Sequence, residues 1–445
     1  MIRLHPIPDA DHTCPFCQVR LDVKGWYMPG MRNLADLKCS RCGREFYGDL
    51  QAGQALYTPL LLEKATGVVH DKYGVQWFAK WLRDSYANRV GSPVKFTEET
   101  RPGPLSQVVV LNCLDTLYGH CLLKLLNAQY YIDHRPDLDL IVLVPRFLRW
   151  MVPDGVAAIW TVDLPLKRGI EWNDWLAAEI KRRIEPLEVC WLSVAFSHPY
   201  PEDYDIERFT RVHRFPVEEW STCLKQPKIT FIWREDRVWC DYTWERHYHP
   251  SEVSIVKCPR CVLYRLTHRL KRRLFQHPLE EQKQRVVALA QALRQVFPQI
   301  DFAVAGLGHP EGLPDWITDL RILEINAQVE RALCKRYAQS HVVIGVHGSN
   351  MLLPSAHAGT VVELMPPSRW GNILQDLLIS DADRREALFH YRIVPMSIHP
   401  QECAMLVISL LRYHWFMVLS MRREFCRHGT NELRYLSNRW VSLSL

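Results

Sequence analysis

Five short apolar runs constrain this chain more than anything else in it. They are residues 106–112 (SQVVVLN), 140–145 (LIVLVP), 228–233 (KITFIW), 341–346 (HVVIGV) and 360–364 (TVVEL). A β-branched run without polar alternation is buried on both faces, which a parallel sheet covered by helices on each side provides. Residues 157–164 and 301–306 add two further strand candidates. Helical periodicity fills the gaps, at 119–131, 171–184, 279–297 and 326–340. Strand and helix alternate in two series, and this predicts an α/β fold of two doubly wound, Rossmann-like domains. The expected boundaries are 51–225 and 226–390, with a mainly helical segment at 391–445 and a ligand cleft between the two domains.

A smaller unit precedes them. Cys14-Pro15-Phe16-Cys17 and Cys39-Ser40-Arg41-Cys42 are CxxC pairs with 21 residues between them. Each pair bends the chain so that two thiolates face one point, and two such knuckles make a tetrahedral S4 site. The spacing predicts a zinc ribbon over residues 1–50, with structural Zn²⁺ held by Cys14, Cys17, Cys39 and Cys42. Gly43 permits the tight turn after the second pair, and short strands are expected at 21–26 and 45–48. Without a metal, a segment of this length has little core of its own. Seven Lys/Arg against six Asp/Glu leave the ribbon at only +1, without the footprint of a nucleic-acid binder. A structural or protein-docking role is expected of it.

With 48% apolar and 23% charged residues the chain is neither disordered nor fibrous. A net charge of +6 on 445 residues is also too small for a nucleic-acid coat. That charge is local. Residues 257–273, which begin at Lys257 and end at Arg273, hold seven Lys/Arg and no acid. Such a run suits an anionic acceptor, a lipid diphosphate or membrane surface, or nucleic acid, and its plain reading is a solvated helix face. The lone CxxC inside it, Cys258 and Cys261, completes a second metal site only with distant partners such as Cys223 and Cys240. Pro6, Pro8 and Asp9 stand where a signal peptide needs an apolar core. The most apolar stretch, 404–420, is broken by Arg412 and His414, so it reads as a buried or interfacial helix. A cytoplasmic protein follows as the expectation, with peripheral membrane association at the basic run.

The segment richest in chemistry is 342–366, VVIGVHGSNMLLPSAHAGTVVELMP. A buried strand runs into His347-Gly348-Ser349-Asn350, and a short helix follows. Gly348 lets the backbone approach a ligand, and the amides of Ser349, Asn350 and Met351 form a candidate anion site. The next strand delivers Glu363, placed to accept from a ribose hydroxyl. This stretch resembles the His-Gly and Val-Val-Glu-Leu signature of the GT-B glycosyltransferases that include the plant xylan xylosyl- and arabinosyltransferases and the EGF-domain O-GlcNAc transferase. Tyr118-Gly119-His120-Cys121-Leu122-Leu123 resembles that family's His-containing helix start, and residues 230–237 (TFIWREDR) its strand with trailing arginines. The three segments keep the family's order over about residues 105–370. Asn350-Met351-Leu352-Leu353 departs from the family's continuation, and the ribbon lies outside its pattern, so acceptor identity does not transfer.

The resemblance implies a GT-B fold and sugar transfer, with inversion, from a nucleotide-sugar donor to a hydroxyl acceptor on a glycan, lipid-linked glycan or protein. The chemistry needs a base for the acceptor hydroxyl and stabilisation of the departing diphosphate. His120 is the candidate base, with Asp115 as alternative base or orienter. Arg234 and Arg237 are placed to make bidentate contacts to phosphate in lieu of a metal ion. Two Asp-x-Asp pairs, Asp137/Asp139 and Asp381/Asp383, read as solvated loop carboxylates. The competing expectation is a nucleic-acid-binding or assembly protein, in which ribbon and basic run act on an α/β scaffold.

Overall fold

The structure is a computed structural model that describes residues 1–195, 204–240, 268–376, 378, 383, 385 and 391–421, with the side chains of 268–277, 374–376 and 413–421 set aside. The chain divides into two compact units, one built on Met1–Arg211 and the other on Val212–Ile325, Val329–Leu378 and the segment from Asp383.

The first unit contains two sheets. Strands β1 (Ile2–His5), β2 (Asp22–Tyr27), β3 (Leu34–Lys38), β4 (Glu45–Asp49), β5 (Leu61–Glu63) and β6 (Val69–His70) open the chain, followed by helix α1 (Gln76–Ala87). β2 to β6 form a five-stranded antiparallel meander. The larger sheet uses β7 (Phe96–Thr100), β8 (Val108–Asn112), β9 (Asp139–Pro145), β10 (Ala158–Val162) and β11 (Cys190–Leu192), in the order β1-β11-β8-β9-β10-β7. Its four central strands are parallel, and β1 and β7 close the edges antiparallel. Helices α2 (Tyr118–Leu126), α3 (Ala128–His134), α4 (Asp174–Ile184) and α5 (Ile206–Thr210) complete this unit. The helix expected over 119–131 is two helices. They part at Asn127, whose Nδ2 donates to the carbonyls of Leu123 and Lys124, both at 3.0 Å, and so ends α2.

The cysteine-bearing sheet does not stop at residue 50 and does not stand apart. β5 and β6 extend it to His70, while β1 belongs to the larger sheet. The cause is apolar burial. Trp26, Leu37 and Phe46 share one core with Val108, Val110, Ile141 and Leu143 of the large sheet and with Leu176 and Ile180 of α4. A second small core, with Leu34, Leu62, Phe78, Leu82 and Trp172, lies beneath α1. A segment too short to bury its own surface acquires a core by packing on its neighbour.

The second unit is built on one parallel sheet of six strands. They are β12 (Lys228–Trp233), β13 (Asp301–Leu307), β14 (Thr318–Ile322), β15 (Val342–Val346), β16 (Thr360–Met365) and β17 (Tyr391–Pro395), in the order β14-β13-β12-β15-β16-β17. Numbered by appearance this is 3-2-1-4-5-6, the order of a dinucleotide-binding Rossmann sheet, with its switch point between β12 and β15. β17 pairs with β16, so the second domain continues past the expected boundary at 390. Helices α6 (His268–Val296), α7 (Ala327–Gln339), α8 (Leu352–His357) and α9 (Pro400–Met421) flank the strands. Val286, Leu289 and Leu293 of α6 and Cys403, Val407 and Leu411 of α9 pack on Phe231, Val304 and Ile344 of the sheet. The apolar stretch at 404–420 is thus helical, with a buried face at Ala404, Val407, Leu410 and Leu411. Among the described residues no helix is long and apolar enough to cross a membrane.

Candidate functional site

Each parallel sheet places its sequence-predicted residues at the carboxyl ends of its strands. In the first unit the chain leaves β8 through Cys113 and Leu114 to Asp115, and α2 starts at Tyr118. The Asp115 carboxylate is buried. Its Oδ1 accepts the backbone N–H groups of Thr116 (2.8 Å) and Leu117 (3.1 Å), and its Oδ2 accepts Lys124 Nζ (2.8 Å) and Gln54 Nε2 (2.9 Å). Burial alone would raise its pKa. The Lys124 ammonium outweighs that and holds the carboxyl well below the usual carboxylate range. A carboxylate so buried and so fully hydrogen-bonded is poorly placed to accept a proton from a substrate.

His120 sits on the first turn of α2, partly exposed, with Nδ1 3.4 Å from Asp115 Oδ1 and 2.6 Å from Gln54 Nε2. Among the described residues its Nε2 has no hydrogen-bond partner. Gln54 and Lys124 were not legible as site residues. Gln54 comes from the turn Gly53–Ala55, pinned by the Gly53 N–H on the carbonyl of Val194 (2.6 Å) just beyond β11. Gly53 takes φ +58°, and a Cβ there would press on Lys124 Cε at 3.3 Å. Gly169 serves the same loop, since a Cβ on it would collide with the Asp115 carbonyl.

In the second unit the switch point carries the remaining candidates. β12 ends at Trp233 and leads into Arg234 and Arg237, and the neighbouring β15 ends at Val346 and leads into His347 and Gly348. Both guanidiniums donate to the carbonyl of His347, Arg234 at 3.2 Å. Arg234 Nη1 also donates to Asn350 Oδ1 (2.6 Å), while its Nε and Nη2 grip the exposed Asp236 carboxylate at 2.7 and 2.6 Å. The bidentate face of Arg234 expected to meet phosphate therefore holds an aspartate. Gly348 has φ +146°, and a Cβ would overlap the Arg234 guanidinium, which makes glycine obligatory at this close approach.

Met351 N–H closes on the Gly348 carbonyl at 2.8 Å, which removes it from the anticipated set of anion-binding amides and leaves Ser349 and Asn350. Glu363, expected at a ribose, is fully buried. Its register partner is Gly345, and its Oε1 lies 2.9 Å from Nδ1 of the equally buried His347. The pair braces the turn from behind, whereas Arg234 and Arg237 meet it from β12. Glu363 Oε2 and Asn350 Nδ2 are buried without a hydrogen-bond partner among the described residues.

The cysteine cluster is compact. Its four sulfurs lie within 4.8 Å of one another, and Cys14 Sγ to Cys42 Sγ is 3.8 Å. A tetrahedron of metal–sulfur bonds of about 2.3 Å has edges of about 3.8 Å, so the donor set fits a metal ion. Each knuckle is closed by its own backbone. Gln18 N–H donates to Cys14 O (3.0 Å), Gly43 N–H donates to Cys39 O (2.9 Å), and the Cys42 N–H reaches Cys39 Sγ at 3.4 Å. That N–H brings the Cys39 thiol down to about 7, whereas hydrogen bonding to Cys42 pushes Cys17 up to about 12. Four thiols this close do not all ionise without a cation among them.

Two of the carboxylates read as solvated are buried. Asp139 accepts from the Ser106 N–H (2.6 Å) and pairs with Arg101, and Asp383 is held by Arg385 Nε at 2.9 Å. Asp137 is exposed and pairs with Arg135. Asp381 lies outside the described residues, as do Lys257, Cys258 and Cys261. The other residues of the run before 268 lie outside them too, and 268–273 are described only as the backbone of α6.

No family model matches the chain, and no curated protein matches it. Among solved structures it is similar to the E. coli ADP-heptose LPS heptosyltransferase II, at 12% sequence identity and a TM-score of 0.35, over 69% of this chain and 98% of that one. At that level of similarity no residue or activity is carried over.

Proposed function

We propose that the protein is a glycosyltransferase that moves a sugar from a nucleotide-sugar donor to a hydroxyl acceptor, with inversion and without a catalytic metal. The observation that carries this reading is the switch point of the second sheet, where Arg234, Arg237 and Gly348 converge at the carboxyl ends of β12 and β15. Ligands of open α/β sheets bind outside such a point, and a glycine flanked by two guanidiniums suits a diphosphate. The motif resemblance over residues 118–123, 230–237 and 342–366 supports the same reading and is the sole basis for inversion.

In this reading Arg234 and Arg237 neutralise the charge that develops on the departing nucleoside diphosphate. Asp236 occupies the Arg234 fork meanwhile, and the phosphate displaces it. His347 and Glu363 position the turn. The first unit supplies the acceptor side, with His120 taking the hydroxyl proton through Nε2 and Asp115 and Lys124 fixing its surroundings. The cysteine cluster binds zinc as a structural clamp. The acceptor class is a glycan, lipid-linked glycan or protein hydroxyl.

A thermal-shift panel of UDP-, GDP- and CDP-sugars tests the reading. A matching donor at 100 times its Kd stabilises the chain by about 2.7 kcal/mol, and Arg234→Ala removes most of that response. A flat response to every nucleotide sugar, with tight and steeply salt-dependent DNA or RNA binding, would overturn it in favour of a nucleic-acid-binding protein.

A further inference from the structure

Gln54 lies within hydrogen-bond distance of both Asp115 and His120. Its Nε2 lies 2.9 Å from Asp115 Oδ2 and 2.6 Å from His120 Nδ1. Asp115 Oδ2 also holds the Lys124 ammonium at 2.8 Å, so this carboxylate is ionised and can only accept. The Gln54 atom facing it must then be the NH₂ group, because a carbonyl oxygen there would face a carboxylate oxygen. The same nitrogen faces His120 Nδ1, and an amide nitrogen has no lone pair with which to accept. Nδ1 is therefore the acceptor, and the neutral ring carries its proton on Nε2. The alternative, Nδ1–H donating to Asp115, has the poorer geometry: the separation from Oδ1 is 3.4 Å, against 2.6 Å to Gln54, and Oδ1 already accepts two backbone N–H groups.

We propose that Gln54 is a positioning residue that decides which nitrogen of His120 carries the proton. While its amide bridges Asp115 and Nδ1, His120 presents an N–H and not a lone pair. His120 becomes a base only when Gln54 releases Nδ1, Nδ1 gains the proton that Nε2 gives up, and the Nδ1–H donates to the Asp115 carboxylate across the present gap. The exchange moves one proton from Nε2 to Nδ1 by way of water and alters no other bond. The Gln54 backbone need not move for this. Its carbonyl accepts Thr58 Oγ1 at 3.3 Å and Gly53 stays on Val194, so a side-chain rotation suffices. The tautomer follows from hydrogen bonding alone, and only its use in catalysis rests on the transferase reading.

The test is ring ¹⁵N spectroscopy of the full chain with labelled histidine, with His120 assigned from the signals lost in His120→Ala. The expected wild-type pattern has protonated Nε2 and unprotonated Nδ1. In Gln54→Leu the Nδ1 resonance should move into the protonated range and Nε2 out of it, and Gln54→Glu, whose carboxylate accepts at the same place, should do likewise. A protonated Nδ1 in the wild type, or an unchanged pattern in Gln54→Leu, overturns the assignment to Gln54. The wild-type spectrum decides even where a variant does not fold. Absence of transfer from every donor overturns the transferase reading and leaves the tautomer standing. Transfer with Nδ1 protonated throughout overturns only the role of Gln54.

Discussion

His341 shows how a single buried ring ties stability to pH. It opens the segment that becomes β15, and its two nitrogens have fixed duties. Nδ1 accepts the Lys228 N–H at 3.0 Å, so the proton is on Nε2, which donates to Thr222 Oγ1 at 2.9 Å. The ring packs between Phe215 and Trp220. Burial, with Lys228 nearby, pushes its pKa down to about 4 from 6.5. As the pH falls below 6.5 the unfolded chain takes up this proton and the folded one does not, so acid favours unfolding. The contribution is fully present above 6.5 and is lost toward about 4, a change of up to about 3 kcal/mol. Denaturant melts across that window should show a steeper pH dependence in wild type than in His341→Gln, and parallel curves would refute the assignment. At this scale the sequence was informative where neighbours in space are neighbours in the chain. His347, Gly348 and Asn350 form one turn, and Arg234 follows a strand whose burial is plain in KITFIW. Gln54 was illegible because 61 residues separate it from Asp115, and nothing local marks it as a ligand. Glu363 was legible as a strand residue at the carboxyl end of the sheet. Whether it faced a ribose or His347 depended on side-chain packing that a one-dimensional pattern does not carry.

Among the elements, apolar runs announced the buried strands. β12 was predicted to its ends, and β8, β9, β15 and β16 within a residue or two. Strands without such a run leave no mark in the sequence. β7 reads FTEET and exposes its acids on an edge, and β14 reads TDLRI at the opposite margin of its sheet. Edge strands are covered on one side only, so they lose the signal that marks central ones. The ribbon was legible in its four cysteines but not in its extent, because its core is completed by residues more than sixty positions away, such as Val108 and Val110. That shared core carries a prediction. Cys14 and Cys39 are buried within it, whereas Cys42 is exposed. Removing the metal should loosen the first unit and not merely two knuckles, since structural zinc sites contribute about 10 kcal/mol or more to the small folds that depend on them. Cys42→Ser should lower zinc content and speed amide exchange in β2, β3 and β4, with a smaller rise in β8. Exchange in β15, in the other unit, should not change. Unaltered exchange in β2 to β4 after loss of the metal would show that the ribbon stands without it.

For the whole molecule the question is where the positive charge for phosphate chemistry resides. The net charge of +6 is smaller than the +7 carried by residues 257–273, so the rest of the chain is close to neutral. In the proposed reading, diphosphate departure depends on placed cations, not on a general field. At the switch point those are the guanidiniums of Arg234 and Arg237. Among the described residues the carboxylates nearest these guanidiniums each have a partner, Glu235 through the His309 N–H at 3.2 Å and Glu363 through one oxygen only. Glu363 is buried against His347, and Asp236 is bound through both oxygens by Arg234. The Asp-x-Asp candidates among the described residues have partners elsewhere, since Asp137 pairs with Arg135, Asp139 with Arg101 and Asp383 with Arg385. Transfer should therefore survive removal of free divalent ions, provided the cysteine site keeps its metal. The experiment is a turnover assay in EDTA at a concentration that leaves zinc content at its starting value, alongside Arg234→Ala and Arg237→Ala. In wild type the rate should stay within about twofold. Each variant should fall by about tenfold or more, the scale of one lost charge-assisted contact to phosphate. Loss of turnover with zinc still bound, restored by Mn²⁺, would mean that a metal ion and not the arginine pair stabilises the leaving group.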